Sequence, residues 1–151
     1  MKLISLFFIG LVLLLAGCSK DNSVDPVTEQ EISGNVTGVA VMIFDNQGNP
    51  YAFQVRGAVV SGSFKGTSDA DLPIRSIDSN GTIHFEGMHI FYDEGGNIIF
   101  RTSDKGTATA TGEVENHLTI IEGKSGQFIT KGNVNLQTGE LALTYEGKVR
   151  T

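Results

Sequence analysis

Downstream of Ile32 the chain alternates apolar and polar residues with a period of two. Near the C-terminus Leu141, Leu143, Tyr145, Gly147 and Val149 share one parity, and Glu140, Ala142, Thr144, Glu146 and Lys148 share the other. Successive side chains leave opposite faces of a pleated strand, so this pattern predicts a strand with one wet face. Tyr51, Phe53, Val55, Gly57 and Val59 repeat it opposite Gln54 and Arg56. Ile83, Phe85, Gly87, His89 and Phe91 do so as well, although Met88 and Ile90 on the other parity are also apolar. Val39 to Phe44 is apolar on both parities, which predicts burial on two faces, against another element or a second copy of the chain. Turn residues that tolerate positive φ punctuate these runs at Asn46-Gln47-Gly48-Asn49, Ser79-Asn80-Gly81, Glu94-Gly95-Gly96-Asn97 and Gln137-Thr138-Gly139. The strands expected between them lie near 34–45, 50–65, 73–78, 82–93, 97–104, 107–115 and 117–123, with 127–149 as a closing hairpin.

About eight sequential strands without a helical period define an all-β fold. A single antiparallel β-barrel disposes of the exposed edges most economically, and a β-sandwich is the alternative. The alternation turns Tyr51, Phe53, Phe85, His89, Phe91, Phe100 and Tyr145 inward. Barrels of this size are filled by side chains or hold one small ligand. The residues expected to line such a ligand space are Tyr51, Phe85, His89, Phe100 and Tyr145, with His89, Tyr51 and Tyr145 supplying its polar contacts.

The N-terminus follows different rules. Lys2 precedes an uncharged apolar run from Leu3 to Leu15, and Leu15-Ala16-Gly17-Cys18 ends it with the chain's one cysteine. The run is short of the roughly 20 apolar residues of a spanning helix and has the layout of a secretory signal. It closely resembles the bacterial lipoprotein signal with its lipobox. The resemblance implies cleavage before Cys18, a diacylglyceryl thioether on its sulfur and acylation, with palmitate for example, of the new amino terminus. The organisation expected is a cleaved signal peptide over 1–17, a lipidated linker over 18–31 and the barrel domain over 32–151. Ser19, in place of the aspartate that favours inner-membrane retention in well-studied sorting systems, implies an outer-membrane address. Lys20-Asp21 is similar to the short charged export signals of Bacteroidetes lipoproteins, and the periplasmic and surface faces both stay open.

Charge sharpens the list of partners. Eleven Lys and Arg against seventeen Asp and Glu give a formal charge of −6, with no basic cluster to neutralise phosphates, so nucleic acid is not an expected partner. Docking on anionic lipid through charge is equally disfavoured, which leaves the acyl chains of Cys18 as the membrane attachment.

The last third reads Leu118-Thr-Ile-Ile-Glu-Gly-Lys-Ser-Gly-Gln-Phe128, then Gly132-Asn-Val-Asn-Leu-Gln-Thr-Gly-Glu-Leu-Ala-Leu-Thr-Tyr-Glu-Gly147. This resembles the signature hairpin of the allene oxide cyclase/dirigent-like barrel superfamily, with Gly126-Gln127-Phe128 at the end of its turn and Gly132 as the later glycine. His89 to Gly106 matches the preceding family hairpin in rhythm. Gln127 stands where the family carries a basic residue, the customary alanine is missing, and the Phe-to-Gly spacing is one residue shorter. The resemblance implies the barrel fold and permits an isomerase or cyclase acting on a small apolar substrate in the lumen. It transfers no catalytic residue to a numbered position, and fold alone does not give activity.

Other constellations dissolve on inspection. Gly123-Lys124-Ser125 lacks the first glycine of a phosphate loop, since Leu118 stands there. A calcium loop aligned on Gly81 would need a bidentate glutamate where Gly87 stands. His84, His89 and His117 are not at zinc spacings, and no Gly-x-Ser-x-Gly elbow is present. Neither metal nor cofactor is therefore expected. The leading expectation is a non-catalytic binding or structural module, and the allene oxide cyclase-like isomerase is its rival.

Overall fold

The computed structural model describes residues 28–150. The expected signal peptide over 1–17, Cys18 and the expected linker up to residue 27 lie outside the described residues. Eight strands follow in order: β1 (Glu29–Phe44), β2 (Pro50–Gly62), β3 (Gly66–Ile77), β4 (Ile83–Asp93), β5 (Ile98–Ala108), β6 (Glu113–Glu122), β7 (Ser125–Val134) and β8 (Glu140–Arg150). Each pairs antiparallel with the next, and β8 returns to pair with β1 from Glu29↔Arg150 to Val39↔Glu140, so the barrel is closed. The all-β antiparallel barrel expected from the alternation is the fold of the described chain.

Four connections repeat one turn. At 45–49, 78–82, 93–97 and 109–113 the first residue's carbonyl accepts from the glycine three positions on, and its N–H bonds back to the carbonyl of the fifth. The glycines Gly48, Gly81, Gly96 and Gly112 carry the positive φ that closes this bulged hairpin. In the first three, Asp45, Asp78 and Asp93 accept backbone N–H groups through their side chains. Hydrogen bonds hold the carboxyls of Asp45 and Asp93 below their ordinary range, the largest cause being the Asn49 backbone N–H for one and the Asn97 side-chain amide for the other. Thr109 does the same work with a hydroxyl, accepting from Glu113 at 3.0 Å.

The fold departs from the sequence expectation at several places, among them the turn at 109–113 that interrupts the strand expected over 107–115. The linker expected to run to residue 31 ends earlier, because Glu29 to Glu31 are strand and Glu29 is paired to Lys148 at 2.9 Å and Arg150 at 3.1 Å. A break expected between 104 and 107 is absent. Gly106 lies inside β5, where the ring of Phe85 occupies the space a side chain would need. The strand expected near 73 begins at Gly66.

Parity also flips twice. Gly57, at φ 60°, forms a bulge opposite the β2–β3 register shift, and its N–H donates to Asp69 at 2.7 Å. Beyond it Ala58 and Val60 face inward and Val59 is exposed. A second shift between Ile43 and Phe44 leaves Tyr51 as the extra residue and turns it outward, 51% exposed. Tyr51 is therefore corrected from the inward set; Phe53, Phe85, His89, Phe91, Phe100 and Tyr145 do face the lumen and are buried.

The outer face is charged on every strand. Arg56–Asp71, Arg75–Glu86, Lys105–Glu86, Arg101–Glu122, Lys131–Glu115 and the Glu29 cluster ring the barrel. A membrane-embedded barrel needs an apolar band there, and this face is not one. The two-sided apolar run ends up half covered: Val39, Val41 and Phe44 are about half exposed, with Ala40 and Met42 packed on the core. No element of the described residues forms a second layer over them.

Val134 packs against the core and Asn133 is exposed. Val134→Asp is expected to destabilise by about 2–4 kcal/mol, because it puts a carboxylate into apolar surroundings without a partner. Asn133→Asp should stay within about 0.5 kcal/mol on the same chemical denaturation assay.

Candidate functional site

The lumen has three levels, set by which residues alternation and bulges send inward. At the end carrying the β2–β3, β4–β5 and β6–β7 connections it is packed with rings. Phe64, from the β2–β3 connection, folds over the opening, stacked on Tyr145 with centroids 5.9 Å apart and edge-on to Phe100 at 5.0 Å. The Phe64 N–H donates to the Tyr145 hydroxyl at 3.0 Å, and the Lys124 ammonium lies 5.8 Å from the Phe64 ring centre. Burial raises the Tyr145 phenol above its ordinary range, against the opposing effect of the Phe64 and Ser63 N–H groups. Phe91, Phe100 and Phe128 complete the cluster, with centroid separations of 4.7 Å for Phe91–Phe100 and 5.9 Å for Phe100–Phe128. This end is shut.

Across the middle runs a buried polar belt centred on Asp104, which is 2% exposed. The Thr102 hydroxyl donates to Oδ1, while Oδ2 accepts from Asn116 Nδ2 at 2.7 Å and faces His89 Nδ1 at 3.2 Å. A carboxylate only accepts, so this contact places a hydrogen on Nδ1, and Nε2 is the lone-pair nitrogen of the neutral tautomer that it favours. The His89 ring stacks on Phe91, centroids 4.6 Å apart. Two buried polar atoms of the belt find no partner, His89 Nε2 and Asn116 Oδ1. Buried polar atoms are nearly always satisfied, so two orphans in one patch mark a place built to meet something.

Above the belt, in the half nearer the β1–β2, β3–β4, β5–β6 and β7–β8 turns, lies a cavity of about 60 Å³. Val36, Phe53, Leu72, Phe85, Leu141 and Leu143 are among its apolar walls, and His89, Asn116 and Thr130 supply its polar lining. Phe53 and Phe85 meet edge to face in the wall at 5.9 Å. The volume matches roughly two water molecules of liquid, enough for one end of a ligand. The nearby turns carry an apolar rim: Phe44, Tyr51, Ile77 and Leu136 are each about half exposed there. A wider hollow of about 980 Å³ outside β6–β8 is bordered by Glu29, Lys148 and Arg150, which already pair with one another.

Of the residues expected to line a ligand space, the structure brings Phe85 and His89 together in the cavity wall. Phe100 and Tyr145 sit in the shut end on the far side of the belt, and Tyr51 is on the outside at the rim. His84 and His117 face outward, toward Asp78 and Glu115. Sequence reasoning missed Asp104, Thr102 and Asn116. The signal for Asp104 was present, because Phe100, Thr102, Asp104, Gly106 and Ala108 share one parity and Phe100 was already inward. No family model, no curated protein and no solved structure matches the chain.

Proposed function

We propose that this chain is an exported lipoprotein, anchored through Cys18 to the outer membrane, whose barrel is a non-catalytic module binding one end of a small apolar molecule. The observation that supports it most is the pairing of apolar walls with a polar floor on which two buried polar atoms stand unpartnered. Ligand sites have this composition: mostly apolar lining, with a few placed polar groups that fix orientation. Geometry suits the anchor too. β1 begins at Glu29 at the shut end, so a tether from Cys18 would join the barrel there, away from the half that holds the cavity.

Protein beginning at Ser19 is expected to bind a small apolar probe saturably by titration calorimetry. Leu143→Trp, which fills the cavity, is expected to abolish the heat while shifting the melt by only a few degrees. Absence of saturable heat with the unsubstituted protein would retire the binding reading. For the anchor, the full-length chain is expected to incorporate labelled palmitate and partition into detergent, and Cys18→Ser to do neither. Equal labelling of both would remove the lipoprotein reading.

A second reading draws on the His89–Asp104 pair, since a ring nitrogen oriented by a carboxylate is the usual arrangement of a general base. Were the barrel an isomerase instead, His89 Nε2 would take a proton from one carbon of a small apolar substrate and return it to another, with no net oxidation. A module returns its ligand without solvent deuterium. An isomerase incorporates deuterium, and His89→Gln loses that incorporation.

A further inference from the structure

We infer that the cavity selects ligands ending in an uncharged hydrogen-bond donor, a primary hydroxyl in the simplest case, over ethers, carbonyls and carboxylates. This rests on the binding reading above and adds what the ligand must carry. Both free atoms on the floor are acceptors. Asp104 holds a hydrogen of His89 on Nδ1, so in the neutral ring Nε2 presents a lone pair. It also draws the Asn116 amide nitrogen toward itself, at 2.7 Å from Oδ2, which turns Oδ1 the other way. One buried carboxylate thus sets the polarity of two side chains at once. His89 is 8% exposed and Asn116 4%, so neither acceptor is freely met by bulk water.

The remaining chemistry narrows the class. An ether or carbonyl oxygen has only lone pairs and could accept from the Thr130 hydroxyl alone, leaving both His89 Nε2 and Asn116 Oδ1 unsatisfied. A carboxylate would add repulsion from Asp104, whose Oδ2 lies 3.2 Å from His89 Nδ1. An ammonium would lose its hydration among Val36, Phe53, Leu72, Phe85 and Leu141, with no carboxylate oxygen free to pair with it. A hydroxyl gives its hydrogen to one acceptor and leaves its carbon chain in the apolar walls. The cavity of about 60 Å³ holds that polar end and the first carbons, and the tail continues past the apolar rim at Phe44, Ile77 and Leu136.

The test is a matched series on the protein beginning at Ser19: 1-hexanol, methyl pentyl ether, n-heptane and hexanoate, each titrated by calorimetry. The expectation is that 1-hexanol binds at least about tenfold more tightly than the ether, the order of effect of leaving a buried acceptor unmet, and that hexanoate gives no saturable heat. Equal affinity for alcohol and ether overturns the donor rule but leaves the binding reading standing. Hexanoate binding as well as hexanol also overturns the rule. No binding by any of the four overturns both. The double variant His89→Leu, Asp104→Leu removes one acceptor and the group that orients both, and it is expected to bring alcohol and ether within about twofold of each other. The comparison among ligands on the unsubstituted protein decides the matter even where that variant does not fold.

Discussion

His89→Leu is expected to lower the stability of the barrel by about 3–5 kcal/mol, because it strips one partner from a buried carboxylate. Asp104 is 2% exposed and relies on three side chains, the Thr102 hydroxyl, the Asn116 amide and the His89 ring. The isobutyl group of leucine fills much of the ring's volume, so little of the loss comes from packing. In a domain of this size the shift in melting temperature should be about 10–20 °C. Adding Asp104→Leu to the first substitution should restore part of the loss, since an apolar pair replaces an orphaned charge. The two losses should therefore fall well short of additive in urea denaturation. Additive losses would mean that the belt is a set of independent contacts around Asp104.

Phe100→Ala should cost a similar amount, about 3–5 kcal/mol, for a different reason. Phe100 is wholly buried and touches Phe64, Phe91 and Phe128 in the shut end. Truncating it leaves a void below the belt that neighbouring rings cannot fill without leaving their own contacts. Ligand binding should survive this loss at temperatures where the variant is folded, because the walls above the belt are untouched. A binding constant that falls as steeply as the stability would show that the two halves of the lumen are not separate compartments.

Strands with one wet face declared themselves in the sequence, and β8 and β4 keep every parity read from their alternation. Bulges did not. One residue of extra backbone at Gly57, and another opposite the Ile43–Phe44 step, reverse which side chains face the lumen, and alternation carries no warning of either. Hence Val59 and Tyr51, expected inside, are outside, while Ala58 and Val60 take the interior. The turn at 109–113 went unread because Thr109 replaces the aspartate that marks its three counterparts. The polar belt was hidden by chemistry. A strand reading Thr-Ser-Asp-Lys looks solvated on both faces, which masks the parity Asp104 shares with the inward Phe100. His89 was legible as an inward imidazole, but the carboxylate that fixes its hydrogen lies fifteen residues away.

The seam between β1 and β8 sets the order of events when the chain folds. Its contacts join residues at opposite ends of the chain, with Glu29 bonded to Lys148 and Arg150 across separations of 119 and 121 positions. Hairpins such as β4–β5 can form as soon as they are synthesised, but the barrel cannot close before the last strand is present. Until then β1 and the newest strand expose unpaired edges, which is the state most open to aggregation. A chain with this seam finishes folding only once β8 has been made and can reach β1.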